Sequence, residues 1–203
     1  MDTRRSHRTG RLLHTRRPVV PSRPMHLTVH VRDGVPGLRR QEILDYLRQL
    51  MTTARRRGVR TVASALLDTH WHWIVVPQSA AALKDATRFV FGHLATFVNE
   101  RFGRRGKVFV ERYASGCCRA VRHAFHVVNY VLKNALVAGH RVPRAGFDRF
   151  TDVFEDVLAA DRFLRSVLGP TPAARQTLLA RMAQGAVPFA PLAERCQARL
   201  PGL

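Results

Sequence analysis

The sequence predicts an α+β fold: a ferredoxin-like βαββαβ antiparallel sheet, with both of its helices on one face. Three observations carry that reading. Short strand-like segments fall at 26–32, 61–68, 70–76 and 107–113, and the first alternates apolar and polar residues with the period of a half-buried strand. Two longer segments, 41–57 and 80–102, space their apolar residues three and four apart, as an amphipathic helix does. The segments 61–68 and 70–76 are nearly contiguous, so only a tight turn fits between them and they pair as a hairpin.

Each element follows from local chemistry. In the first strand Leu27, Val29 and Val31 face one side, and His26, Thr28 and His30 face the other. Asp33-Gly34 and Pro36-Gly37 turn the chain. The first helix carries Ile43, Leu44, Leu47, Leu50 and Met51 on one stripe. It ends on Arg55-Arg56-Arg57-Gly58, with positive charge at the negative end of the dipole and a glycine to cap it. The third strand, His70-Trp71-His72-Trp73-Ile74-Val75-Val76 before Pro77, is β-branched and aromatic. His70 and His72 share a face, about 7 Å apart along the strand, while Trp71, Trp73 and Val75 point to the opposite, dry face. The second helix places Leu83, Phe89, Val90, Leu94, Phe97 and Val98 on one side, with Gly103 after it. Lys107 to Tyr113 is expected as the fourth strand.

This arrangement leaves the histidine face of the sheet uncovered. The candidate cover is a helix over 119–139, rich in Val, Leu and Ala. His126, Tyr130 and Asn134 sit on it at i, i+4 and i+8, on one face. Farther on, 148–168 and 172–184 read as helices with no evident chemistry, and Pro188, Pro191 and Pro201 make the end irregular. The expected divisions are a flexible basic arm over 1–24, a domain over 25–145 and a helical C-terminal extension over 146–203.

Charge narrows the partners. The chain has 34 Lys and Arg against 14 Asp and Glu, a net charge of +20. Lysine occurs only at 84, 107 and 133, so the excess is arginine, whose planar fork suits phosphate and stacks on bases. The excess is concentrated in the front and middle: residues 148–203 hold seven basic and six acidic side chains. A polyanion, most simply nucleic acid, is the expected partner. No apolar run reaches the roughly 18 residues of a membrane span, no secretory leader is visible, and Cys117, Cys118 and Cys196 form no disulfide framework. A cytoplasmic, nucleoid-associated setting fits.

An HxH pair alone reads more readily as two partly buried or surface histidines, and Tyr130 and Asn134 alone as a core-edge aromatic and a satisfied polar group. Together they define a chemistry. Two imidazoles and an amide oxygen leave open positions on Mg²⁺ or Mn²⁺ that phosphate oxygens can fill. A tyrosine one turn away can act as nucleophile, provided its environment helps ionise a phenol of ordinary pKa about 10.

The chain resembles the single-tyrosine HUH transposases, of the REP-associated tyrosine transposase type. The resemblance rests on His70-Trp71-His72, on Gly106-Lys107-Val108-Phe109-Val110-Glu111-Arg112-Tyr113 and on Tyr130-Val131-Leu132-Lys133-Asn134-Ala135, and it spans about residues 25–140. It implies that Tyr130 attacks single-stranded DNA beside a hairpin and is left carrying a 5′-phosphotyrosine. It also implies that His70, His72 and Asn134 hold the divalent metal, and that the protein works as a monomer or a homodimer. Arg23, Arg112, Arg119 and Arg122 are the expected phosphate contacts. The alternative is a catalytically silent protein of the same fold that binds hairpin DNA. An RNA-binding module fits less well, because such modules stack bases on sheet-face aromatics and Trp71 and Trp73 point inward here.

Overall fold

The computed structural model describes residues 19–143, 147–154, 156, 157, 165, 169 and 171–185. The elements, in order, are β1 (Met25–His30), α1 (Gln41–Arg56), β2 (Val59–Leu66), β3 (His70–Pro77), α2 (Ala80–Arg101), β4 (Ala114–Cys117), α3 (Val121–Val137), β5 (Thr151–Val153) and α4 (Pro172–Ala183). The strands form one antiparallel sheet in the order β4-β1-β3-β2-β5. Its first four strands have the ferredoxin-like order the sequence predicts.

Two cores flank the sheet. On one side Leu27, Val29, Trp71, Trp73 and Val75 pack under α1 and α2. Trp71 and Trp73 stack at 4.9 Å, and their indole N–H groups donate to Ser64 Oγ at 2.7 Å and Thr61 Oγ1 at 2.9 Å. Two large aromatics are thereby buried with their polar edges satisfied. On the other side Ile74, Val76, Ala63 and Ala65 meet Phe125, Val128, Val131 and Leu132 of α3 and Leu179, Met182 and Ala183 of α4. A bulge in β2 makes this possible: Thr61 pairs with Val75 but Ala63 with Ile74, so Val62 is the extra residue. Val62 and Ala63 then both face α3, while Thr61 and Ser64 stay under the tryptophans.

Three expectations are corrected. The fourth strand is Ala114–Cys117, not 107–113. The 107–113 segment touches β1 through the Val31–Phe109 bridge and the Val110 amide to the His30 carbonyl (3.0 Å), then leaves the sheet. Thr28 faces Ala114 and Val31 faces Phe109, so three steps along β1 match five along the facing segment. Val110, Glu111 and Arg112 are consequently exposed. A glycine-containing Ala-Ser-Gly-Cys run has little strand propensity of its own, and pairing with β1 holds it.

The second correction concerns 148–168, expected as a helix. Its start is β5, paired with β2 through Ala63–Val153 and Ala65–Thr151. Two acidic residues of this segment answer arginines of distant segments: Asp148 binds Arg39 at 2.7 and 2.9 Å, and Asp152 binds Arg48 at 2.7 and 3.0 Å. The third concerns the arm, which does not run to residue 24. Val19 packs against the first core, and the Ser22 amide donates to the Pro77 carbonyl at 3.0 Å. Residues 1–18, 186–203 and most of 155–170 lie outside the described residues. None of the described helices is long and apolar enough to cross a membrane.

Candidate active site

Strands β1 and β3 bring four imidazoles onto one face. His30 pairs directly with His70, and Thr28 with His72. The His30 and His70 rings stack at 4.9 Å, His70 and His72 meet edge-on at 4.8 Å, and His26 and His72 lie 5.1 Å apart. The two histidines of the HxH pair therefore lean together, as their shared side of the strand predicts. Three polar atoms form a closed triangle beneath them: His26 Nε2 is 3.0 Å from His72 Nδ1, and Thr28 Oγ1 is 3.1 Å from His72 Nδ1 and 3.3 Å from His26 Nε2.

Burial disfavours the charged form of His26, His70 and His72. It lowers the pKa of His72 to about 3, with the neighbouring His26, His70 and His30 adding to the effect. It lowers His26 to about 4, helped by His123, and it also lowers His70, helped by His30. A neutral imidazole retains the lone pair a metal needs.

Helix α3 lies over this face, as expected of the cover. The Tyr130 ring meets the His72 ring edge-on at 5.3 Å and the His26 ring at 6.1 Å. Tyr130 is 45 % exposed although it sits on buried rings. Its chain neighbours Asn129 and Val131 are buried, so it stands where the helix surface passes from core to solvent. The stripe His126, Tyr130, Asn134 is not uniform. His126 is exposed, and Asn134 is only 6 % exposed, with Nδ2 lacking a hydrogen-bond partner. His70, His72 and Tyr130 are thus brought together. Asn134 is buried one turn further along the same helix, and among the described residues no hydrogen bond joins it to either imidazole.

The donor chemistry fits a divalent cation. His72 has Nδ1 engaged and Nε2 buried without a partner. His70 likewise has Nδ1 engaged, 3.0 Å from Thr69 Oγ1. His72 thus has its Nε2 unpartnered while both rings have Nδ1 held from behind. Among the described residues no group of three or more His, Cys, Asp or Glu side chains is placed to hold a metal ion. The ligands expected from the sequence, two imidazoles and the Asn134 amide, would leave water or substrate oxygens to complete the shell.

The expected phosphate contacts separate into places. Arg119 and Arg122 are exposed at the start of α3, and Arg122 leads the stripe through His126 to Tyr130. Arg23 is half-buried just before β1. Arg112 lines a cleft of about 730 Å³ with Arg32, Asp68, Val110, Thr28 and His30. That cleft opens where the 107–113 segment leaves the sheet, and its wall reaches the histidine face. Sequence reasoning did not find it, because a regular strand was expected there. The only sequence signal was the polar Glu111-Arg112 pair breaking an apolar alternation.

The chain is similar to two solved structures. One is a REP-associated tyrosine transposase bound to a REP hairpin, with 19 % identity, 61 % of this chain and 73 % of that chain covered, and a TM-score of 0.47. The other is a candidate transposase of Deinococcus radiodurans, with 18 % identity, 62 % and 97 % covered, and a TM-score of 0.40. No family model and no curated protein matches the chain.

Proposed function

We propose that this protein nicks and rejoins single-stranded DNA at hairpin-forming repeats, in the manner of a transposase, using Tyr130 as nucleophile and a divalent cation on His70, His72 and Asn134. The observation that carries the reading is the Tyr130 ring lying 5.3 Å from the ring of His72, on a helix that covers the HxH face. Supporting it are the unpartnered Nε2 of His72 and the net charge of +20.

In this reading the Tyr130 oxygen forms a bond to the scissile phosphorus and the bond from phosphorus to the 3′ oxygen breaks. The phenol proton passes to solvent, to which Tyr130 is open, and the leaving strand ends in a 3′ hydroxyl. The 5′-phosphotyrosine conserves the ester, so a second 3′ hydroxyl can attack it and release the tyrosine. Arg112, Arg119 and Arg122 steer and hold the strand by its phosphates. A bound Mg²⁺ or Mn²⁺ would polarise the phosphodiester and stabilise charge developing on its oxygens.

The test is a labelled hairpin oligonucleotide incubated with the protein and Mn²⁺, run on a denaturing gel. A covalent protein–DNA band is expected, absent in Tyr130→Phe while hairpin binding is retained. Salt-sensitive hairpin binding with no band in any metal would refute the enzyme and leave the silent hairpin-binding alternative.

A further inference from the structure

We propose that His26 and Thr28 are positioning residues that fix the tautomer of His72, holding its proton on Nδ1 so that Nε2 presents a lone pair. The inference rests on the metal reading of His70 and His72 above for its consequence, but not for its chemistry. A neutral imidazole carries one proton on one of two nitrogens, and the partner of one nitrogen decides the state of the other. His72 Nδ1 has two polar neighbours, His26 Nε2 at 3.0 Å and Thr28 Oγ1 at 3.1 Å. Its Nε2 is buried and has no partner.

The two possible tautomers are unequal in this setting. With the proton on Nε2, an N–H donor is buried with nothing to receive it. With the proton on Nδ1, that donor meets the lone pair of His26 Nε2 and the Thr28 hydroxyl oxygen. The unmet group on Nε2 is then a lone pair, which a cation can take. His26 must in turn keep its own proton on Nδ1 for its Nε2 to accept. The register secures the triangle: Thr28 is the cross-strand partner of His72, and His26 lies two residues along β1 on the same face.

The tautomer is read directly from the ring nitrogen chemical shifts and two-bond couplings of ¹⁵N-labelled, metal-free protein at pH 7.5. His72 is expected as the Nδ1–H form in the native protein. His26→Phe and Thr28→Val, which preserve shape, should convert it partly or wholly to the Nε2–H form and weaken Mn²⁺ binding by about 10–100-fold, measured calorimetrically. His26→Gln and Thr28→Ser, which restore an oxygen acceptor, should recover most of that affinity. The inference is overturned if native His72 is the Nε2–H form, or if His26→Phe and Thr28→Val leave the tautomer unchanged. Failure of the metal reading appears separately, as native protein whose Mn²⁺ binding is undetectable or indifferent to His72→Ala. In that event the nitrogen shifts alone still decide the positioning role.

Discussion

Replacing Asp148 by alanine tests whether the segment after residue 147 is an integral part of the sheet fold. The Asp148 side chain is 3 % exposed and that of Arg39 is 11 % exposed. Their two bonds are 2.7 and 2.9 Å long, a bidentate pair between α1's lead-in and the start of β5. Asp148 Oδ2 also accepts the Phe150 amide at 3.2 Å. Removing the carboxylate strands a guanidinium with little water to solvate it, which typically costs about 3–5 kcal/mol. Two contacts soften the loss: Arg39 Nη1 still donates to the Leu66 carbonyl at 3.2 Å, and the guanidinium lies 4.4 Å over the Phe150 ring. The lower end, about 3 kcal/mol, is therefore expected, equivalent to a fall in Tm of roughly 6–12 °C for a domain of this size. Urea unfolding followed by far-UV circular dichroism measures it. The double variant Arg39→Met with Asp148→Leu should recover most of the loss, because it removes both charges. An Asp148→Ala protein destabilised by less than about 1 kcal/mol would refute the argument, since an exposed pair contributes no more than that.

Two further outcomes follow from the same structure. The depressed pKa values of His26, about 4, and His72, about 3, mean that the unfolded chain takes up protons the folded one refuses. Stability is thus fully present above the unfolded value of about 6.5 and declines as pH falls towards the folded values, by up to about 4 kcal/mol between pH 7 and pH 5, roughly 2 from each ring. Urea midpoints at the two pH values measure this, and a midpoint that does not move refutes it. Ser64→Ala leaves the buried Trp71 indole N–H without its acceptor, for an expected loss of about 1–3 kcal/mol; tryptophan fluorescence during urea unfolding tests it, and a change below about 0.5 kcal/mol would mean that the hydrogen bond is not needed.

The histidine strand was legible because its information is local. Alternation fixed that His70 and His72 share a face and that Trp71 and Trp73 share the other, and the pairing of β1 with β3 bears this out. Helix α3 was legible from its apolar period, with Gly139 adopting a φ of 79° two residues past its last turn. What escaped was set by partners far along the chain. Asp148 and Asp152 mimic a helix start until Arg39 and Arg48 are seen opposite them. Ala114–Cys117 has no strand signal of its own and is a strand because β1 offers an open edge. Asn134 and Tyr130, four residues apart on one stripe, differ in exposure, and α3 packs against α4, a neighbour that no period in α3 records.

That second neighbour bears on the chemistry. Tyr130 can reach the histidines only while α3 stays seated on the sheet, and the sheet supplies only part of the surface that seats it. Val128, Val131 and Leu132 of α3 share a core with Leu179, Met182 and Ala183 of α4, and β5 widens the sheet beneath them on the β2 edge. The described part of the segment expected to be a packing element therefore does pack: α4 lies with α3 in the layer on the histidine side of the sheet. With the layer in place His72 is only 2 % exposed, so its Nε2 lies in a low-dielectric pocket, where a bound charge interacts more strongly than in water. If Tyr130 and the histidines react as proposed, the setting in which they do so depends also on residues outside the motif that suggests them.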